Sequence, residues 1–160
     1  MIFFINSIWR ILMPTHAEKR SIPYTSEQMF NLVAAVDLYP EFLPWCTGAV
    51  IRYRDEKLLL ADLKVGFGPF REQFGSRVEL NRPHEITVSY DRGPLKYLNN
   101  KWRFIDDPNG CLIDFYVDFE FRSRILQMAI GAVFNETVQR MVTAFVKRAD
   151  EIYGLNKISK

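Results

Sequence analysis

Asp114, Asp118 and Glu120 share the polar face of one alternating stretch, and of all the side chains in the sequence they look most like paired carboxylates for general acid–base work. Lys101 and Arg103 occupy the stretch before them. Antiparallel neighbours bring such residues side by side, so ion pairing across a wet surface explains the three acids more simply than catalysis does. The histidines, His16 and His84, fall in different segments and leave no metal-ligand spacing; His84 follows Pro83 in a turn and is expected in solvent. Cys46 and Cys111 are far apart among apolar residues, the pattern of small buried hydrophobes in a reducing compartment, not of a disulfide framework. There is no G-x-S-x-G elbow, no phosphate loop and no Cys/His pairing. The expectation is a protein that is not an enzyme, with no metal and no catalytic cofactor.

What the chain has in quantity is rings. Aromatic residues reach 14%, with 13 Phe, in a composition of 48% hydrophobic and 25% charged residues that is otherwise ordinary for a globular protein. Rings carry much apolar area each, so a dense core or an apolar cavity could use them. The formal charge of +2, from 21 basic and 19 acidic residues, gives no general drive toward DNA. Arg122, Arg124, Arg140, Lys147, Arg148, Lys157 and Lys160 gather late in the chain but are interleaved with Glu136, Asp150 and Glu151, as on an ordinary charged helix face.

The elements that must position these residues follow from period and punctuation. Residues 1–12 are nearly all apolar, too few to span a bilayer at about 20 residues, and Met13-Pro14-Thr15 resembles a natural start. They are expected to form a hydrophobic extension outside a single domain over residues 13–154, followed by a frayed tail over 155–160. A short strand runs from Ala17 to Tyr24. Thr25-Ser26-Glu27-Gln28 reads as a capping box opening a helix to about Val36, and Asp37 opens a second helical piece over Leu38–Leu43, ended by Pro44. Six strands follow: 49–54, 58–67, 70–81, 85–91, 96–106 and 110–121, separated by turn signals short enough for antiparallel hairpins. The last is the clearest, with Cys111, Ile113, Phe115, Val117, Phe119 and Phe121 on one face. After Ser123 the period changes. Leu126, Ile130, Val133, Phe134, Val138, Met141, Phe145, Ala149 and Ile152 recur at three and four, predicting one continuous helix of roughly 30 residues, about 45 Å, ending at Gly154, with Gln127 on its polar side. The fold class is α+β: a curved antiparallel sheet of about seven strands wrapped around a long C-terminal helix, with two short helices after the first strand.

Several of these segments resemble a known family. Phe30-x-x-Val33 with Asp37-x-Tyr39-Pro40-x-Phe42-Leu43-Pro44-Trp45-Cys46 is similar to the opening signature of the coenzyme Q-binding START-domain proteins. Leu63-x-Val65-Gly66-Phe67, Phe74-x-Ser76-x-Val78, Trp102-x-Phe104, Phe115-x-Val117-x-Phe119-Glu120-Phe121-Arg122-Ser123 and Met141-Val142-x-Ala144-Phe145-x-x-Arg148-Ala149 continue it in order. The resemblance covers about Thr15 to Gly154. It implies a helix-grip fold, an apolar tunnel and a ubiquinone-type isoprenoid ligand in support of respiration. Bacterial members also carry the name of a ribosome-association toxin, which implies a ribosomal subunit as the alternative partner, and the wider superfamily includes polyketide cyclases. The implied location is the cytoplasm, with transient peripheral contact at the inner membrane as an option.

On this reading the tunnel-lining candidates are Phe42, Leu43, Trp45, Phe67, Phe74, Trp102, Phe104, Phe115, Phe119, Phe134, Met141 and Phe145. Any one of these rings fits a packed core equally well; the group as a whole favours a cavity. Phe42-Leu43-Pro44-Trp45 fits either a plug closing one end of the sheet or a lid. A quinone head, with two carbonyl acceptors, calls for a donor near the mouth, and Lys64, Arg71, Tyr97 and Asn100 are available.

Overall fold

A computed structural model describes the backbone of residues 15–154 and, apart from residues 130 and 132–135, their side chains. The extension over residues 1–12, the tail over 155–160 and the side chain of Phe134 lie outside the described residues. Seven strands form one antiparallel sheet: β1 (Thr15–Ile22), β2 (Cys46–Arg54), β3 (Leu58–Phe67), β4 (Phe70–Asn81), β5 (Glu85–Arg92), β6 (Leu95–Asp107) and β7 (Gly110–Phe121). The order across the sheet is β1-β7-β6-β5-β4-β3-β2. Every neighbour from β2 to β7 is therefore a hairpin partner, and β1 closes the set by pairing with β7 from Thr15↔Asp118 to Ile22↔Cys111. Helix α1 (Ser26–Ala34) begins at the expected capping box, Thr25 accepting from the Gln28 N–H while the Gln28 side chain accepts from the Thr25 N–H. A 3-10 turn over Val36–Glu41 replaces the expected second helix over Leu38–Leu43.

The C-terminal helix differs from expectation. It is two helices, α2 (Arg124–Gln139) and α3 (Met141–Tyr153), meeting at Arg140 with φ −97° and ψ 3°. The Arg140 N–H is shared between the carbonyls of Glu136 and Thr137, each at 3.2 Å, a tightening toward 3-10 geometry that takes this residue out of the regular α conformation. Gln127, expected on the polar side, is instead 6% exposed; its Oε1 accepts from the Phe121 N–H at 3.0 Å, joining the start of α2 to the end of β7. Ile125 and Met128 sit outward on the same helix, 83% and 71% exposed.

Period two puts one face of the sheet under the helices. β7 follows it without fault: Cys111, Ile113, Phe115, Val117, Phe119 and Phe121 are all buried. The opposite face carries the charges. Arg103 lies 3.7 Å from Asp114, Lys96 3.0 Å from Glu120, and Asp118 accepts from the hydroxyls of Thr15, Tyr97 and Tyr116. Lys101 turns to Glu85 at 3.6 Å, and His84 is exposed but meets Asp106 at 3.0 Å. The three acids are thus engaged with neighbouring strands on the outer face. Both cysteines are free and buried.

Candidate functional site

A cavity lies between the middle of the sheet and the junction of α2 with α3. Its floor comes from the inward rows of β3 (Leu63, Val65), β4 (Glu72, Phe74, Ser76, Val78), β5 (Ile86, Val88), β6 (Leu95, Leu98, Asn100, Trp102) and β7 (Val117, Phe119, Phe121). Its roof comes from Val33, Val36, Tyr39, Leu43 and Trp45 on one side and from Val138, Met141 and Phe145 on the other. Val138 and Met141 straddle Arg140, so the helix break stands directly over the space. The space open to the centre of a water-sized sphere is about 100 Å³, several times the roughly 10–15 Å³ that admits one water. An apolar lining of this kind does not hold water well, since a water needs two to four polar partners.

One end is sealed by rings. Trp102 is 4.6 Å from Phe115 edge-on and 6.2 Å from Phe104 in a stacked arrangement, and Phe104 is 6.3 Å from Phe30 of α1. Phe145 of α3 lies 4.9 Å from Trp102, 5.2 Å from Tyr39 and 5.2 Å from Phe42. Arg148 spreads its guanidinium over the Phe42 ring at 5.4 Å and reaches Glu41 at 2.6 Å, holding the chain after the 3-10 turn against α3. The other end is open: Trp45, Glu72, Phe74, Pro94, Leu98 and Met141 are all half-buried. Gly93, with φ +126°, lets the β5–β6 turn lie against β4 there, because a Cβ would come 2.8 Å from the Gln73 carbonyl oxygen.

Of the tunnel candidates, Leu43, Trp45, Phe74, Trp102, Phe119, Met141 and Phe145 stand on the cavity wall. Phe42 packs behind Phe145; Phe104 and Phe115 lie deeper, at the sealed end, with Phe115 also 6.0 Å from the His16 ring. Phe67 is at the β3–β4 hairpin, paired with Phe70. The four head-group donors separate more sharply. Arg71 turns back to the carbonyls of Gly68 and Phe70, Lys64 is exposed, and Tyr97 bonds Asp118 on the outer face. Only Asn100 of the four reaches the wall, and there it receives the Trp102 indole N–H at 3.2 Å and donates to the Tyr116 carbonyl at 2.9 Å.

The polar residues on the wall that had not been singled out as candidates are Tyr39, Glu72 and Ser76. Tyr39 donates to the Val33 carbonyl, and burial pushes its phenol far up, so it stays neutral. Ser76 donates to the Ala61 carbonyl at 3.3 Å. Glu72 has no hydrogen bond or ion pair among the described residues. A signal for it was present: it sits at even spacing between Phe70 and Phe74, in the same inward row of β4. Among the described residues no cluster of three or more His, Cys, Asp or Glu could hold a metal ion, and no helix is long and apolar enough to cross a membrane.

Comparison with known proteins agrees with this architecture. Residues 22–146 match the family described as polyketide cyclase/dehydrase and lipid transport. The ribosome association toxin RatA of Escherichia coli K12 is 36% identical over 156 residues, covering 96% of this chain and 99% of the relative. The mitochondrial coenzyme Q-binding protein COQ10 homolog B of Xenopus laevis is 32% identical over 148 residues, covering 89% of this chain and 61% of that protein. Among solved structures, an 18 kDa protein of Caulobacter crescentus is 34% identical with a TM-score of 0.68, covering 88% of this chain and 98% of that one. A Streptomyces aromatase/cyclase superposes with a TM-score of 0.74 at only 14% identity, covering 86% and 94%, which shows a shared fold and no more. With most of its length matched and near-full-length relatives above 30% identity, the chain belongs to the polyketide cyclase/dehydrase and lipid transport family.

Proposed function

We propose that this protein binds a ubiquinone-type isoprenoid lipid in the cavity and serves as a quinone chaperone or carrier, without catalysing a reaction. The observation that carries the reading is the cavity itself: apolar, sealed at one end by packed rings and open at the other beside the α2–α3 break. An isoprenoid tail needs no polar specificity. Each buried CH₂ contributes about 0.8 kcal/mol, so one five-carbon unit offers on the order of 3 kcal/mol before ordering costs. The likeness to a coenzyme Q-binding protein supports the same ligand class. In this reading the protein works in the cytoplasm and exchanges its ligand at the inner membrane. The wall residues named above, with Phe134 of α2 as a further candidate, are the proposed contacts.

A second reading, binding to a ribosomal subunit, is favoured by the higher identity to relatives named as ribosome association toxins. Surface charge lends it little support. Arg140 pairs with Glu136, Arg148 with Glu41 and Glu151, and Arg52 and Arg92 both with Asp62. Organic extraction and mass spectrometry of the purified protein separate the two. We expect co-purified quinone whose binding is nearly indifferent to salt, as burial of apolar surface is. No extracted quinone, together with co-sedimentation on a ribosomal subunit that weakens steeply with salt, would reverse the ranking.

A further inference from the structure

We infer that Glu72 makes the cavity selective for the reduced, hydroxyl-bearing form of its ligand: a quinol over the corresponding quinone. This rests on the quinone-carrier reading and goes beyond it. On the wall, Tyr39, Ser76 and Asn100 already hold protein partners. Glu72, half-buried at the open end, has none among the described residues, and an ionised carboxylate can only accept hydrogen bonds. It shares the cavity lining with Trp45, which precedes Cys46; Cys46 and Glu72 flank Val65 on the two strands either side of β3. The Trp45 indole N–H, also without a partner among the described residues, can only donate.

The mouth therefore offers one acceptor and one donor. A quinone head presents carbonyl and ether oxygens, all acceptors; it satisfies Trp45 and sets a carbonyl dipole against the Glu72 charge. A quinol hydroxyl donates to Glu72 and still accepts from Trp45. Bonds from a hydroxyl to a carboxylate are charge-assisted and stronger than neutral ones. Against a partly solvated alternative, the expected preference is about tenfold or somewhat more. Tighter binding of the reduced form also raises the two-electron potential of the bound couple, by about 30 mV for each tenfold.

The test is anaerobic equilibrium dialysis of the full chain against decylubiquinone and its two-electron reduced quinol, on the wild type and on Glu72→Gln and Glu72→Leu. Melting curves taken alongside establish that the variants are folded. We expect the wild type to bind the quinol about tenfold more tightly, and both variants to bring the ratio close to one, mainly by weakening the quinol. A wild-type ratio of one or below, or a ratio unchanged in folded variants, overturns the role of Glu72 and leaves quinone binding standing. Binding of neither form to any of the three proteins overturns the carrier reading, and this inference with it.

Discussion

The two ends of the cavity are built from similar residues and have opposite characters. At the sealed end Trp102, Phe104, Phe115 and Phe30 are 0–2% exposed and touch one another at 4.6–6.3 Å. At the open end Trp45, Phe74, Leu98 and Met141 face the same interior, yet each keeps part of its surface free. The difference comes from what lies opposite. Helix α1 and the middle of α3, at Phe145, fill the concavity over the sealed end, while the open end lies under the α2–α3 junction, where the regular helix is interrupted at Arg140. A concave sheet covered by rods is filled only where a rod lies flush against it. The same aromatic at the same strand parity is core in one place and wall in the other.

Truncation should break the two ends unequally. Trp102→Ala is expected to cost about 3–5 kcal/mol by urea unfolding, since it removes a ring that is 2% exposed and packed against Phe104, Phe115 and Phe145. Phe74→Ala should cost well under half as much, because that ring already lacks contacts on one side, while reducing quinone content. Equal losses would mean the open end is packed as tightly as the sealed one. The boundary between them is sharpened by Phe145→Trp. Phe145 lines the cavity but is 1% exposed and held by three rings within 5.2 Å, so the extra volume should overpack it by about 1–3 kcal/mol and lower the melting point along with ligand occupancy. A variant that melts normally and merely loses quinone would place Phe145 with the open end.

The smallest effect concerns the seam that ties α3 to the sealed end. Tyr24 donates to Asp150, and the Tyr153 hydroxyl donates to the Gln28 carbonyl at 3.1 Å. Burial, and then the Asp150 carboxylate, push the Tyr24 phenol up to about 12 from an ordinary 10.0. Because the folded state holds this proton more tightly than the unfolded chain does, the stabilisation is complete below about pH 10 and is lost as pH rises toward 12. Tyr97, raised to about 12 by burial and by the charges of Asp118 and Glu120, contributes with the same sign. Tyr24→Phe should cost about 1 kcal/mol near neutral pH and make the loss between pH 10 and 12 shallower. An alkaline transition identical to the wild type would show that this hydrogen bond does not secure α3.

Most of the fold was legible because it rests on two periods. The inward row of β7 could be read residue by residue, and the Thr25 capping box fixed the start of α1. The helix break could not be read. Val138, Met141 and Phe145 continue the three-and-four spacing straight through Arg140, with neither Gly nor Pro to mark a stop, so periodicity reports a continuous helix where hydrogen bonding does not. The site was half legible for a related reason. Parity says which residues face inward but not what lies above them, so Phe104 and Phe115 were as plausible as Phe74 and Phe119. Glu72 shares the parity of Phe70 and Phe74, but a carboxylate in that row carries no apolar signal to mark it as facing inward. Arg71 and Tyr97 went the other way: chemically suited to a head group, they belong to a hairpin and to the outer face.

The pairing of β1 with β7 also bears on how the chain is made. Thr15 and its partner Asp118 are 103 residues apart. At the usual 5–20 residues per second, a ribosome leaves β1 without its neighbour for roughly 5–20 s, the interval in which unpaired strands invite aggregation. β1 suits that wait. Its sequence, Thr-His-Ala-Glu-Lys-Arg-Ser-Ile, contributes a single large aliphatic residue, Ile22, and in the finished sheet its polar side chains engage one another, His16 and Arg20 both meeting Glu18. The strand that must stand alone longest during synthesis is hydrophilic, and among the described residues it forms one edge of the sheet, where charge again discourages a second chain from adding on.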